Sequence, residues 1–389
     1  MKKKIICVID FGQSHLKFNL ISQNYLVTRT LVYKNNFLVS HNNSIFYDHL
    51  KIIKKIKLHI NKISKNYDIV AISCVGHGSA CFYIDENNMI KNAFHFSSNI
   101  KNNELNEFNK ISLKFSETFT PNYKKLHNLG KNFFLINKKN SNNKFMTLTS
   151  FIGWIFSRKN IIDPSYISCH TYMWNFKKKN FSNLVGKVIN FRNVPKMKIG
   201  GKFISKINNK IFKINKNCKI YNGIHDTSAA FYFHRLFFKK INTIFLSTGT
   251  TFVFGKFLHN LKKITEKSRF YYLNSIDLKK FVLSRRFHGG IVYKKLLNQE
   301  SSQTANTLLA KYTLKELRFY LNGVKNEQMT LVIDGPFSQN KDFLYKLKEL
   351  KRDMNIYCAK NKNSPSLGIA HLCNENKINL TMDNYYSKI

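Results

Sequence analysis

The chain opens with a short uninterrupted apolar run, Ile5-Ile6-Cys7-Val8-Ile9, which stops at a polar, glycine-containing stretch, Asp10-Phe11-Gly12-Gln13-Ser14. Leu16, Phe18 and Leu20 then alternate with Lys17 and Asn19. A continuous apolar run followed by period-two alternation predicts a buried strand, a turn and a second strand. Between Leu50 and Ile63, the residues Ile52, Ile53, Ile56, Ile60 and Ile63 recur at helical spacing with lysines between them, so this segment is expected to be an amphipathic helix. Ile69 to Val75 and Ala80 to Ile84 are expected as a strand pair joined by Gly76-His77-Gly78-Ser79.

The first pattern returns far along the chain. Thr243 to Leu246 is an apolar strand, Ser247-Thr248-Gly249-Thr250 a turn of small residues, and Thr251 to Phe257 resumes an extended pattern. Two strand-turn-strand units, each opening one half of the chain, suggest an internal duplication. Leu331-Val332-Ile333 then runs into Asp334-Gly335, an amphipathic helix carrying Phe343, Leu344, Leu347 and Leu350 follows, and Ser364 to Cys373 is expected as a closing helix. Stretches rich in Lys and Asn at about 137–145 and 206–217 are expected as surface loops.

A chain of 389 residues favours two domains, each with a core of its own. The charge is extreme: 64 Lys and Arg against 21 Asp and Glu give a formal +43. Such a charge would suit a nucleic-acid partner. The lysines, however, are scattered among abundant Asn, Ile, Phe and Tyr instead of forming a stripe, which makes nucleic acid the weaker reading. The seven cysteines have no CxxC spacing and several sit in apolar runs, so a reducing, cytoplasmic setting is expected. The first apolar run ends too soon for a signal peptide, and no segment reaches the length of a membrane span.

Three stretches carry chemistry. Asp10-x-Gly12-Gln13-Ser14-x-x-Lys17 combines a carboxylate, a glycine for close backbone approach, a hydroxyl and a cation, as a site for terminal phosphates requires; the same residues also suit a plain hairpin. Thr248-Gly249-Thr250 offers hydroxyls and amides without charge, and shares that second reading. Gly223-Ile224-His225-Asp226-Thr227-Ser228-Ala229-Ala230 places a lone carboxylate before small residues that enter an apolar helix. Asp226 is either a general base or a helix N-cap.

In this order the three stretches resemble the FGGY carbohydrate kinases. Gly76-His77-Gly78, Asp163-Pro164-Ser165, Cys169-His170-Thr171-x-Met173-Trp174, Arg286-Phe287-His288-Gly289-Gly290 and Asp334-Gly335-Pro336-Phe337-x-x-Asn340 add to the likeness. It implies an α/β fold of two ribonuclease-H-like, actin-like ATPase domains flanking a central cleft. The expected divisions are 1–236, binding the sugar, and a shortened nucleotide-binding 237–389, because little lies between Gly290 and the strand near 330.

The resemblance further implies an ATP-dependent kinase acting on a small sugar or polyol. Asp226 would be the base, and Asp10 together with Asp226 would orient Mg²⁺ through water. Gly12, Gln13, Ser14, Lys17, Thr248, Gly249 and Thr250 would face the terminal phosphates, with Asp334, Gly335 and Asn340 near the nucleoside. His77, Gly78 and His225 are the expected sugar contacts, although either histidine also suits a structural role. Trp174 and His170 read as core. The histidine-bearing turn and Cys169-His170-Thr171 look most like the fuculose and rhamnulose kinase branch, hence a ketose or deoxyketose. Gln13 in place of threonine, a single glycine at Gly335 and the carboxylate-free Ser97-Ser98-Asn99 depart from the family pattern. They leave open a catalytically reduced nucleotide-binding protein of the same fold, and a homodimer is also left open.

Overall fold

The computed structural model describes residues 2–41, 44–123, 125–139, 142–321, 329–374 and 380–389. It divides into two compact units. The first comprises Met1–Ala229, Tyr272–Leu278 and Pro365–Lys377, and the second Ala230–Tyr271, Lys279–Ser364 and Ile378–Ile389.

In the first unit the opening strand runs Lys3–Phe11, and Ile5 to Phe11 are buried without alternation, as for a strand covered on both faces. It pairs antiparallel with His15–Ile21, which pairs antiparallel with Val27–Lys34. On its other side it lies parallel to Tyr67–Gly76, which in turn is parallel to Lys219–Tyr221 and Ile224–His225. Asp10 thus lies inside the strand, opposite Lys17, and the turn proper begins at Gly12.

The helix His49–Asn66 forms because its isoleucines share one face. Ile52, Ile56, Ile60 and Ile63 are buried, each contributing about 1.5–3 kcal/mol of transfer free energy. Asp48 caps its start by accepting a hydrogen bond from Lys51 N at 3.0 Å.

The second unit repeats the first sheet's pattern. Phe281–Phe287, Phe252–Leu258 and Thr243–Ser247 are successively antiparallel, then Thr330–Asp334 and Asn355–Ala359 continue parallel. The expected duplication is therefore present at the level of strand order and direction. Helices Ser302–Leu321 and Lys341–Leu350 bury Leu309, Leu317, Phe343 and Leu347 in this unit's core.

Several expectations need correction. Tyr67–Gly76 and Cys81–Ile84 do not pair with each other: Cys81–Ile84 instead joins a separate sheet with Ile90–Asn92 and Lys144–Thr147. Local alternation identifies a strand but not its partner. Residues 137–139 finish the helix Leu129–Lys139, and Lys144 opens a strand, so 137–145 is not a loop throughout; 140 and 141 lie outside the described residues. The stretch 206–217 is largely irregular but is pinned by buried Phe212, whose ring sits 4.5 Å from Phe156. The interval after Gly290 holds the 20-residue helix Ser302–Leu321. No helix among the described residues is long and apolar enough to cross a membrane.

His59, on the inner face of His49–Asn66, stacks on Tyr33 at 3.9 Å, and neither ring nitrogen has a hydrogen-bond partner. Burial, reinforced by Lys55 and Lys62, pushes its pKa down from 6.5 to about 4. Between those two values the unfolded chain holds the extra proton, so this residue's share of stability is complete above about pH 6.5 and lost as the pH falls toward 4. In denaturant titrations, His59→Phe should therefore gain on the parent chain progressively from pH 7.5 to pH 4.5. An advantage that is the same at both pH values would contradict this account.

Candidate active site

The carboxyl ends of three adjacent strands carry the first half of the site. Asp10 is opposite Val75, which is opposite Ile224; Phe11 is opposite Gly76, which is opposite His225. This register brings Asp10, His77 and His225-Asp226 to one edge of the first sheet, where ligands of parallel α/β sheets bind. Gly223 allows it, because a methyl there would run into Cys74 Sγ on the neighbouring strand.

Asp10 is buried, and its Oδ2 accepts a hydrogen bond from Lys17 Nζ at 3.1 Å across the hairpin. Burial raises its pKa, Lys17 opposes the rise, and the nearby charge of Asp226 adds to it. Gly12 N donates to His15 O at 2.9 Å, while Asn35 fastens the turn through Ser14 O and Gly12 O. Gln13 and Ser14 are exposed. The stretch is thus a hairpin, as its plainer reading held, and it sets the Asp10–Lys17 pair beneath exposed polar residues.

Asp226 is the first residue of the helix Asp226–Phe237. Its Oδ1 accepts from Thr227 N at 2.5 Å and Thr227 Oγ1 at 3.2 Å, and lies 3.4 Å from His225 Nε2. Its Oδ2 takes part in none of these contacts, and the side chain is 29% exposed. Partial burial raises its pKa, against His77, the Thr227 hydrogen bonds and Lys17, so the carboxylate is more basic than an ordinary aspartate. Asp226 is thus the first residue of the helix and not its N-cap: one carboxylate oxygen is fixed by Thr227 and the other makes none of these contacts.

His77 and His225 are both buried. His77 Nδ1 lies 2.8 Å from the Gly78 carbonyl, which only accepts, so this nitrogen carries the proton and Nε2 accepts from Tyr47 Oη at 3.0 Å. Burial lowers its pKa. His225 Nδ1 meets Ser228 Oγ at 3.2 Å, its Nε2 lies 3.4 Å from Cys169 Sγ, and burial pushes its pKa down to about 4. It is neutral at pH 7, and its approach to Asp226 is therefore not an ion pair. Gly78 fits tightly between Cys169 and His225. Tyr166, which the sequence did not single out, places its hydroxyl 2.6 Å from His77 O and 3.0 Å from Ala80 O, pinning this turn from below. Trp174 is buried, as expected.

The second unit supplies a turn built from backbone. Thr248 N donates to Asp334 O at 2.9 Å, Thr248 Oγ1 also donates to that oxygen, and Phe337 N donates to Thr248 Oγ1 at 3.1 Å. Gly335 has φ 86°, and a side chain there would strike Thr248 O. Asp334 is buried, accepting from Gly335 N at 2.7 Å and Ser364 Oγ at 3.0 Å, with His234 Nε2 3.2 Å away. Asn340 caps the helix Lys341–Leu350 through Phe343 N and donates to Asn306. The side chains of Asp334 and Asn340 therefore hold this turn in shape. Gly249 is half-buried and Thr250 exposed.

Among the described residues no group of three or more His, Cys, Asp or Glu could hold a metal ion. Asp10 and Asp226 are a two-carboxylate donor set, of the kind that fits a divalent cation keeping most of its hydration shell. The charge of Asp226 adds to the cost of ionising Asp10, which a cation would relieve.

The repeated strand order defines a duplicated ribonuclease-H-like, actin-like ATPase fold. Solved structures bear this out at the level of fold. A carbohydrate kinase from Novosphingobium aromaticivorans superposes with a TM-score of 0.83 at 14% identity, over 96% of this chain and 91% of that one. Ligand-bound xylulose kinase from Lactobacillus acidophilus gives 0.78 at 15% identity, over 95% and 89%. Plasmodium falciparum glycerol kinase with ADP gives 0.78 at 13% identity, over 95% and 89%. No protein-family model matches the sequence, and no curated protein matches it.

Gly249 of the second turn and Gly290 of the helix Gly289–Leu297, which packs on that turn, differ in the room they leave for a side chain. A methyl at Gly290 would run into the Gly249 carbonyl, whereas one at Gly249 meets nothing nearer than Thr251 O at 3.9 Å. Gly290→Ala is expected to cost about 1–3 kcal/mol in thermal or denaturant unfolding. Gly249→Ala should stay within about 0.5 kcal/mol of the parent. Equal losses in the two variants would show that Gly249 is required by the chain itself.

Proposed function

We propose that this protein is an ATP-dependent carbohydrate kinase that phosphorylates a hydroxyl of a small ketose, deoxyketose or polyol. The observation that carries the reading is Asp226: a carboxylate with Oδ1 fixed by Thr227, Oδ2 left over and basicity raised, at the strand edge that also holds the Asp10–Lys17 pair. The fold it shares with carbohydrate, xylulose, gluconate and glycerol kinases supports the class of reaction. The Gly76-His77-Gly78 turn and the Cys169-His170-Thr171 segment are the support for placing it nearest the fuculose and rhamnulose kinases.

In this reading each unit supplies one phosphate-facing turn: Gly12, Gln13, Ser14 and Lys17 in the first, Thr248, Gly249 and Thr250 in the second. Asp334, Gly335 and Asn340 serve the nucleoside side through the frame they build. Mg²⁺, held by Asp10 and Asp226 through water, would neutralise charge on the terminal phosphates. Asp226 Oδ2 accepts the proton of the attacking hydroxyl as the phosphoryl group moves. His225, neutral and packed against Cys169 and Ser228, keeps the carboxylate oriented. Gly78, His77 and His225 form the wall of the acceptor site, and Lys17 balances the charge of Asp10.

ADP release measured across a panel of ketoses, deoxyketoses and polyols tests the proposal. At least one acceptor should raise turnover over ATP alone, and Asp226→Asn, which keeps an oxygen to accept from Thr227, should lower kcat by about 10²–10⁴. Parent protein that binds ATP but releases no more ADP with any acceptor would favour the catalytically reduced reading. A second measurement addresses the turns: ATP-dependent thermal stabilisation should weaken in both Lys17→Met and Gly249→Ala. Undiminished stabilisation in either variant would remove that turn from the nucleotide site.

A further inference from the structure

The buried carboxylate of Asp334 divides its two oxygens between different partners. Oδ1 accepts from Gly335 N and Ser364 Oγ, which fixes the bend into Pro336–Gln339. Oδ2 faces His234 Nε2 at 3.2 Å. That approach is a bonding distance but lies off the line of a hydrogen bond, and among the described residues this buried nitrogen has no hydrogen-bond partner. The other ring nitrogen is fixed: His234 Nδ1 lies 2.7 Å from Tyr386 Oη. Burial, reinforced by the charge of Asp334, raises the pKa of that phenol, so its hydroxyl keeps the proton. With the phenol donating to Nδ1, the ring's own hydrogen is on Nε2, on the side of Asp334.

The surroundings hold both rings still. His234, in the later turns of the helix Asp226–Phe237, stacks on Phe245 with 14° between the ring planes. Tyr386 packs against Phe237 and Phe238, with centroids 5.2 and 4.9 Å away. Its strand, Tyr386–Lys388, runs antiparallel to Asn355–Ala359 and sets Tyr386 opposite Ala359. The Ala359 carbonyl accepts from Ser338 Oγ at 2.8 Å, and Gln339 Nε2 donates to Lys360 O at 3.0 Å. The strand Tyr386–Lys388 therefore reaches the turn after Asp334 by two routes, through Ala359 and through His234. Burying a polar N–H without an acceptor is costly, and a ring without nitrogens would avoid that cost.

We propose that His234 is a positioning residue for the nucleotide, its Nε2 hydrogen closing a bond to Asp334 Oδ2 when the turn at Asp334–Gly335 takes up the nucleoside end of ATP. A small rotation of the carboxylate is all the closure requires, since the two atoms are already within reach. This rests on the kinase reading for the identity of the ligand. The bond belongs to the loaded state, so its free energy goes to nucleotide affinity and not to the stability of the empty chain. A purely structural histidine would do the reverse.

Calorimetric titration with ADP, melting curves without nucleotide and ADP release with the acceptor panel test this together. The double variant His234→Phe with Tyr386→Phe removes both members of the buried pair and should melt within about 2–4 °C of the parent. It should bind ADP about tenfold more weakly and raise KM for ATP by a similar factor, a larger change than in kcat. His234→Gln, whose amide can donate where Nε2 does, should recover most of the affinity. Tyr386→Phe alone, the milder change, should weaken ADP binding about threefold. The assignment is overturned by ADP affinity that is unchanged in Tyr386→Phe and in the double variant, by no recovery in His234→Gln, or by a parent that does not bind ADP. An affinity that falls and recovers as expected, while no acceptor raises ADP release by the parent, leaves His234 in its role and removes the kinase reading.

Discussion

The register of the strand Tyr67–Gly76 governs the first unit. It lies parallel to Lys3–Phe11 on one side and to Ile224–His225 on the other, and the same two residues, Val75 and Gly76, face Asp10 and Phe11 on the first and Ile224 and His225 on the second. Burial of Ile5 to Phe11 on both faces locks this alignment, because a slip of one residue would send every side chain to the wrong face. Asp10, His77 and Asp226, more than two hundred residues apart at their extremes, share an edge for that reason.

The two units bring different chemistry to the same strand pattern. The first offers charge: two aspartates and a lysine, with neutral imidazoles behind them. The second offers neutral donors: the amides and hydroxyls around Thr248 and Gly249, shaped by Gly290 and Gly335. Asp334, buried among Gly335 N, Ser364 Oγ and His234, fits this division, as a carboxylate devoted to shaping the turn.

Much of this was legible in the sequence. Both strand-turn-strand units, the isoleucine-faced helix at His49–Asn66, the helix Ser364–Cys373 and the position of Asp226 at a helix start all follow from local periodicity and small-residue spacing. Other features depend on partners distant in the chain, which periodicity does not encode. Cys81–Ile84 pairs with Lys144–Thr147 instead of its neighbour in sequence, Tyr47 binds His77 across thirty residues, and Tyr166 supports the same turn from eighty-nine residues away. Lys131 is indistinguishable in sequence from the many surface lysines around it; only its burial sets it apart.

A site fixed by backbone pairing tolerates wholesale replacement of the residues around it. Main-chain pairing across Asp10, Val75 and Ile224 constrains few side chains directly, Gly223 against Cys74 and the buried run Ile5 to Phe11 among them. A carbohydrate kinase shares the fold at 14% identity, which shows how little of a sequence the fold requires. Even an extra residue is absorbed at one place: the pairing of Tyr67–Gly76 with Lys3–Phe11 shifts register between Ile5 and Ile6, at the far end of the strand from Asp10 and His77.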